Sequence, residues 1–412
     1  MSRRTVAMLA TAGVLLAGLT ACGDDPKPDP GPSPSAAFDP EALDLGRIDP
    51  TPTDVSTALT GASSRLIGAY DLGSHLVLPQ ELRTDLQRFG VETDALVEPG
   101  DFEYSLSEAG GPVLAAGAQT GLLSRRVDKP GDAWITTALV QFPDDASAEA
   151  AEQAAAAALT APDPTGLESS KVLEPVASDD QAVAVVATNT DIANQLYVLR
   201  AFGPFLAYIW VYDINGTMDD VRQDADDFLR DQESALQDVE PVPISEQPRV
   251  RDLDPTGLWG LTLAVDGNGG LSDTAYIAGG HAAQTRQIDA DGIDRAFSKA
   301  GVSRVASNVT SLYATQDAES ATGLQDAFVE QATGLGMVEV DPPKGLDGAV
   351  CLANEDEENV DLALWPDFLC FSPFGAYLLE SSGVSLEEAQ QRISAQALLV
   401  YEKQQDRKRT SG

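Results

Sequence analysis

Two histidines, His75 and His281, set the limit on what this chain could catalyse. Hydrolysis by a Ser-His-Asp arrangement needs an imidazole beside a nucleophile, and no Gly-x-Ser-x-Gly turn is there to present a serine. His281 follows Gly279-Gly280, and its plain reading is a turn or surface residue. The same scarcity excludes metal sites built from His or Cys clusters. With 65 Asp and Glu, no close carboxylate pair stands out as an acid/base dyad. Hard cations take oxygen ligands, and Asp266-Gly267-Asn268-Gly269-Gly270 and Asp289-Ala290-Asp291-Gly292-Ile293-Asp294 open like calcium loops. Neither continues with the required Gly at the sixth place and Glu at the twelfth, so both read as turns or helix starts. No metal and no other cofactor is expected, and no residue is assigned a catalytic role.

The cysteines carry more. Ser2-Arg3-Arg4 is a short cationic segment, Val6 to Leu19 an apolar one, and Leu19-Thr20-Ala21-Cys22 closes it. That closing tetrad resembles a lipobox, in which the Cys22 thiol receives diacylglycerol and cleavage leaves Cys22 as the new N-terminus. Ordinary secretory cleavage after Ala21, with Cys22 free, is the alternative. The apolar run is short of the roughly twenty residues that span a bilayer, whereas two acyl chains, at about 0.8 kcal/mol per buried methylene, anchor stably. Arg3-Arg4 also suits a twin-arginine export signal, and equally an ordinary secretory one. Asp24 to Ser35 alternates Pro with Asp, Gly and Ser, an extended stalk that cannot bury a core. The expected address is the outer face of a cell membrane, lipid-anchored. Of three cysteines this leaves Cys351 and Cys370, which in an oxidising compartment allow one bridge. Closing that loop contributes about 3 kcal/mol in the chain-entropy model.

Charge narrows the partners. Lys and Arg number 26 against the 65 acids, a formal charge of −39, and cleavage would remove Arg3 and Arg4 but no acid. Such a chain repels nucleic acid and other polyanions. The partners left are the membrane, through lipid on Cys22, and a protein or a cell-wall component. At 43% hydrophobic the composition is globular, and the length suggests two or three domains.

The elements that must position any site come in two copies. Phe202-Gly203-Pro204-Phe205-Leu206-Ala207-Tyr208 returns as Phe371-Ser372-Pro373-Phe374-Gly375-Ala376-Tyr377, five matches in seven at an offset of 169. Upstream, Thr137 to Ala151 resembles Val309 to Gly323 at an offset of 172, which requires a three-residue length change between the blocks. On this alignment Cys351 and Cys370 face Ala182 and Ala201, as expected of a pair that touches. Each copy reads as strand, helix, three strands, helix: Ala138 to Phe142; a helix capped by Asp145 or Ser147 and running to Leu159; strands Ala182 to Ala187, Leu196 to Phe202 and Phe205 to Tyr212. Ser385-x-x-Glu388 is a capping box opening the last helix. Helical stretches Val55 to Tyr70 and Pro79 to Phe89 precede the first copy.

The fold expected is α+β: two tandem pseudo-symmetric units, each a mainly antiparallel sheet with helices on one face. The divisions are a signal peptide at 1–21, lipidated Cys22 and Pro-rich linker at 22–37, an N-terminal domain at 38–245 and a C-terminal domain at 246–412. Aromatics gather at Phe202, Phe205, Tyr208, Trp210 and Tyr212 in one copy and at Trp365, Phe368, Phe371, Phe374 and Tyr377 in the other. Core packing is their default. A ligand pocket lined by Phe202, Phe205, Tyr208, Trp210, Phe371, Phe374 and Tyr377 is the speculative alternative. The acidic run Glu355-Asp356-Glu357-Glu358 reads as a solvated hairpin tip.

Lipobox and stalk, with Ala58 to Pro79 (ALTGASSRLIGAYDLGSHLVLP), Ala133 to Ala151 and Pro255 to Ala283, resemble the actinobacterial lipoproteins that carry a tandem domain of unknown function, numerous in mycobacteria and rhodococci. The resemblance covers nearly all of the mature chain. It implies an envelope address and a two-part architecture, and supplies no activity. The functional readings are a non-catalytic binding or interaction protein of the cell envelope, a carrier of an apolar small molecule or lipid, and an enzyme of unnamed reaction.

Overall fold

A computed structural model describes residues 38–54, 61–89, 95–161, 171–176, 182–187, 193–241, 244, 254, 256–265, 270, 272, 275–287, 290–354 and 366–411. The segments expected to be a signal peptide and a stalk, Cys22, Trp365, the Asp266 loop as far as Gly269, and the acidic run at 355–358 lie outside them.

The first unit opens with helices Gly61–Leu72 (α1) and Pro79–Leu82 (α2), short strands Arg88–Phe89 (β1) and Ala95–Leu96 (β2), and helices Pro99–Ser105 (α3) and Gly110–Ala115 (α4). Strands Thr120–Val127 (β3) and Ala133–Gln141 (β4) lead into helix Asp145–Leu159 (α5). Strands Lys171–Pro175 (β5), Val183–Ala187 (β6), Asn194–Phe202 (β7) and Phe205–Asp213 (β8) follow, then helix Met218–Leu236 (α6). The second unit has strand Tyr276–Gly279 (β9), helices Gly280–Ala283 (α7) and Ala290–Ala300 (α8), strands Arg304–Ser307 (β10) and Thr310–Ala314 (β11), and helix Ala318–Gly334 (α9). It closes with strands Val338–Val340 (β12), Val350–Ala353 (β13), Phe368–Phe374 (β14) and Tyr377–Gly383 (β15) and helix Leu386–Ser411 (α10).

Both sheets are antiparallel and share one strand order. The first, of 8 strands, runs β1-β3-β4-β8-β7-β6-β5 with β2 also on β3, and the second, of 7, runs β9-β10-β11-β15-β14-β13-β12. The fold is therefore α+β in two tandem units, matched strand for strand from β3 to β5 against β10 to β12. Each unit carries strands beyond those the sequence picked out, among them β3 and β5 and their counterparts β10 and β12. Their burial follows no clean alternation, and β12 is largely exposed.

The sequence places the helices on one face of each sheet; the structure puts them on both. On one side of the first sheet, Val221, Ala225, Phe228 and Leu229 of α6 share a core with Ile135, Leu139, Val198 and Ile209. On the other, Ala148, Ala151 and Ala155 of α5 pack on Ala138, Val140, Leu199 and Leu206. In the second unit α10 covers one face and α9 the other. A strand buried on both faces reads as a nearly continuous apolar run, as in β8, where six of the seven residues from Phe205 to Val211 are buried. Helix α5 is capped one residue earlier than expected, by Asp144, whose side chain accepts from the Ser147 amide at 2.8 Å. Ser385 caps the last helix as expected, its hydroxyl accepting from the Glu388 amide at 3.2 Å, while the Glu388 carboxylate accepts from the Val384 amide at 3.1 Å rather than from that of Ser385.

Cys351 and Cys370 form a disulfide directly across β13 and β14. The stretch Phe38–Asp54, grouped by the sequence with the first unit, packs on the second: the Phe38 ring lies 5.1 Å from those of Phe374 and Tyr401. Pro79 to Phe89 is one helical turn followed by β1 rather than a longer helix. Helix α1 lies against both β3 and β9, and Tyr70 stacks on Tyr276 at 4.9 Å. Between the units, fully buried Arg126 of β3 donates to the Gln284 carbonyl at 2.7 Å and the Gln287 carbonyl at 2.6 Å.

One charged cluster braces the first unit. Arg83 binds Asp85 and Asp213, each at 2.7 Å, with Asp224 at 3.8 Å. Burial, opposed by Arg83 and assisted by the neighbouring carboxylates, pushes the Asp224 carboxyl from its ordinary 3.8 up to about 6. Between those values the native state binds more protons than the unfolded chain, so this group makes stability fall as pH rises through that window. Asp224→Asn is accordingly expected to be more favourable at pH 7 than at pH 4.5, read from urea midpoints against wild type. An equal difference at the two pH values would contradict the assignment.

Candidate functional site

The strand register of the second sheet builds one row of side chains across five strands. Tyr276 pairs with Ser307, Ser307 with Ser311, Ser311 with Glu380, and Glu380 with Phe371. Paired residues project from the same face, so the row forms a floor. Above it stand Phe328 and Gln331 of α9, Arg286 and Gln287 close one side, and Leu369 and Ser382 continue the floor. A cavity of about 210 Å³ remains between them.

Its chemistry centres on Glu380 and Tyr313. The Tyr313 hydroxyl donates to Glu380 Oε2 at 2.5 Å. Burial pushes the Glu380 carboxyl above its usual range, and the bond from Tyr313 pulls it back. Burial, followed by the charge of Glu380, holds the Tyr313 phenol well above its ordinary value, and burial does the same for Tyr276. Both phenols therefore keep their protons and serve as donors. The Arg286 guanidinium lies 5.6 Å from the Tyr276 ring centre, a cation–π arrangement. Phe328 and Phe371, 5.4 Å apart, supply an apolar wall.

The first unit has the same positions without the cavity. Leu199 pairs with Tyr208, Tyr208 with Ala138, and Ala138 with Leu123. Strand for strand these stand at Phe371, Glu380, Ser311 and Ser307, and all four are at most 1% exposed. Above them Ala155 occupies the place of Phe328, as the matching helix caps Asp144 and Asp317 fix. Trp210 stands at Ser382 and Tyr197 at Leu369, their rings stacked at 5.2 Å. A polar row in one copy replaces packed core in the other.

Of the seven aromatics singled out from the sequence, Phe371 lines this cavity. Phe374 and Tyr377 belong to the core on the opposite face, under α10. Phe205 is buried beneath α6 and Tyr208 beneath α5. Phe202 lies under the Arg200 guanidinium at 5.0 Å, and Trp210 sits between Tyr197 and Trp134. The residues that define the cavity with Phe371, namely Tyr276, Ser307, Ser311, Tyr313 and Glu380, escape the sequence reading because serines and a lone glutamate form no motif. A register-correct comparison of the two copies would have exposed them.

His281 is not among them. Its Nε2 is 2.9 Å from the Leu76 carbonyl and its Nδ1 3.9 Å from Glu81, so it braces the contact between the units. Among the described residues no cluster of His, Cys, Asp or Glu is arranged to hold a metal ion. No helix of the described residues is long and apolar enough to cross a membrane.

Fold and cavity together define a tandem α+β protein with a polar cavity in its second unit. The sequence matches the N-terminal domain of unknown function DUF7373 over residues 55–251 and the C-terminal DUF7373 domain over residues 269–402. The chain therefore belongs to the DUF7373 family. No curated protein matches it. Among solved structures, the extracellular domain of PknH from Mycobacterium tuberculosis is similar to part of it, with 13% identity, a TM-score of 0.29, and coverage of 43% of this chain and 99% of that one.

Proposed function

We propose that this chain is an actinobacterial lipoprotein, anchored by diacylglycerol on Cys22 at the outer face of the membrane, whose second unit is a non-catalytic binding module. The observation that carries the binding role is the polar row Ser307, Ser311 and Glu380 standing where the first unit has Leu123, Ala138 and Tyr208. Ser307 and Ser311 bond one another at 3.0 Å and Glu380 accepts from Tyr313, but the row is only half-buried and lines the cavity, so polar side chains kept where the first unit has packed core are best explained by a ligand that pairs with them. The lining favours a polar ligand over an apolar one. Leu19-Thr20-Ala21-Cys22 supports the anchor, and a buried disulfide suits an oxidising compartment.

The groups present support a non-catalytic role. Glu380 is held by a phenol that does not ionise, and neither histidine reaches the cavity. Native mass spectrometry of the full chain released from its host membrane tests the proposal. The expected result is a diacylated chain beginning at Cys22 with a small polar adduct. A chain that retains residues 1–21, or one that carries no adduct under gentle release, would count against the anchor or the binding role respectively.

A further inference from the structure

We propose that the cavity over the Ser311–Glu380 row binds a single neutral sugar ring, with its hydroxyls on the row and its C–H face against Phe328 and Phe371. This deepens the binding reading above and rests on it.

Size sets the first bound. At about 210 Å³ the cavity falls below the roughly 300–1,000 Å³ of drug-sized sites, which leaves room for one ring and not for an acyl chain or a peptide. Spacing sets the second. Neighbouring strands are about 4.8 Å apart, so the row offers a polar group at each strand step, comparable with the span between hydroxyls across a sugar ring. Donor and acceptor capacity sets the third. Ser307 and Ser311 bond one another at 3.0 Å and Glu380 accepts from Tyr313, but hydroxyls and carboxylates hold further sites beyond one bond, so with Ser382, Gln287 and Gln331 the lining offers both donors and acceptors. A hydroxyl likewise donates and accepts, so a ligand rich in hydroxyls pairs with this mixture. A phosphate or an ammonium would leave part of it unmatched.

Charge argues the same way. Glu380 and Arg286 both belong to the lining and carry opposite formal charges, so the lining favours neither sign of ion, and a chain of formal charge −39 repels anions at long range. The two phenylalanines supply the apolar surface that the C–H face of a sugar ring can cover. The first unit closes the case from the other side: Trp210 and Tyr208 occupy the places of Ser382 and Glu380, and no floor of hydroxyls remains.

Saturation-transfer NMR on the full chain in detergent micelles tests this, with glucose, galactose and arabinose as probes and glycine and glutamate as zwitterionic comparators. The expected result is saturation of ring protons for at least one sugar. Ser382→Trp, which installs the first unit's residue, is expected to abolish it, and Glu380→Gln to weaken affinity about tenfold by removing a charged acceptor. Circular dichroism checks that Ser382→Trp folds; should it not, the Glu380→Gln titration decides. Saturation of glycine or glutamate alone, lost in either variant, would overturn the sugar and leave a binding site in place. Sugar saturation unchanged by both variants, or no saturation by any probe, would overturn the proposal.

Discussion

Replacing Arg126 by Ala is expected to destabilise the chain by about 3–5 kcal/mol, the range seen when one partner of a buried charged contact is removed. Arg126 is fully buried on β3, and its guanidinium reaches two carbonyls, those of Gln284 and Gln287, in the other unit. Each such charged hydrogen bond contributes about 1.5–3 kcal/mol; the Gln284 carbonyl would keep the Gln287 amide as a partner, whereas the Gln287 carbonyl would lose its bond to the guanidinium. Lys is not expected to rescue, because an ammonium is a compact point charge that lacks the planar fork. The apolar cluster running from Tyr70 and Leu122 to Tyr276 and Phe297 crosses the same boundary, so loosening it should also make unfolding less cooperative. Urea unfolding followed by fluorescence reads both effects. A loss under about 0.5 kcal/mol, within the range of an ordinary surface substitution, would show that Arg126 does not join the units.

Removing the disulfide should cost about 3 kcal/mol in the chain-entropy model, which scales with the logarithm of the loop length. The loop closed has a sequence separation of 19. The first unit supplies the control. At the matching positions of β6 and β7, Ala184 pairs with Val198 where Cys351 pairs with Cys370. Cys351→Ala with Cys370→Val therefore borrows a pair that already fits between two such strands. It separates the lost crosslink from a packing defect under Ile393 and Ala397, which share that core. The expected outcome is a lower urea midpoint with the same fold by circular dichroism. A midpoint that matches oxidised wild type would contradict a stabilising bridge.

That Ala184–Val198 pair shows where the sequence misleads. The repeated Phe-x-Pro-Phe string aligns Phe202 with Phe371, and so sets the cysteines against Ala182 and Ala201. In the structure the hairpin turns are Gly203-Pro204 and Gly375-Ala376, with Gly203 and Gly375 both at positive φ, so Phe202 matches Phe374 instead. The string recurs three residues out of step because apolar strand residues resemble one another whatever their register. Upstream the slip is one residue, since Ala138 matches Ser311 rather than Thr310. In a strand, a slip of one moves every side chain to the other face. That single step hides the exchange of Ala138 for Ser311 on which the cavity depends.

What was legible followed from strong local signals. Strands β4, β7 and β8, the Ser385 cap and the Cys351–Cys370 pair all lie in segments whose pattern or chemistry admits one reading. The two-unit α+β plan follows from the duplication itself. The second helical face was not legible, because the alanines of α5 make a weakly amphipathic helix whose small side chains sit closely on the sheet. The cavity was not legible either: no residue in its row is chemically unusual alone, and their alignment exists only across five paired strands.

Diffraction from crystals of the full chain soaked in glucose, galactose or arabinose would test the central claim most directly. The account predicts ordered sugar density over Ser311 and Glu380, against Phe328 and Phe371, with Leu123, Ala138 and Tyr208 of the first unit packed beneath α5 and no ligand there. Side chains filling the second unit's cavity, or a ligand seated on the first unit's row, would contradict it.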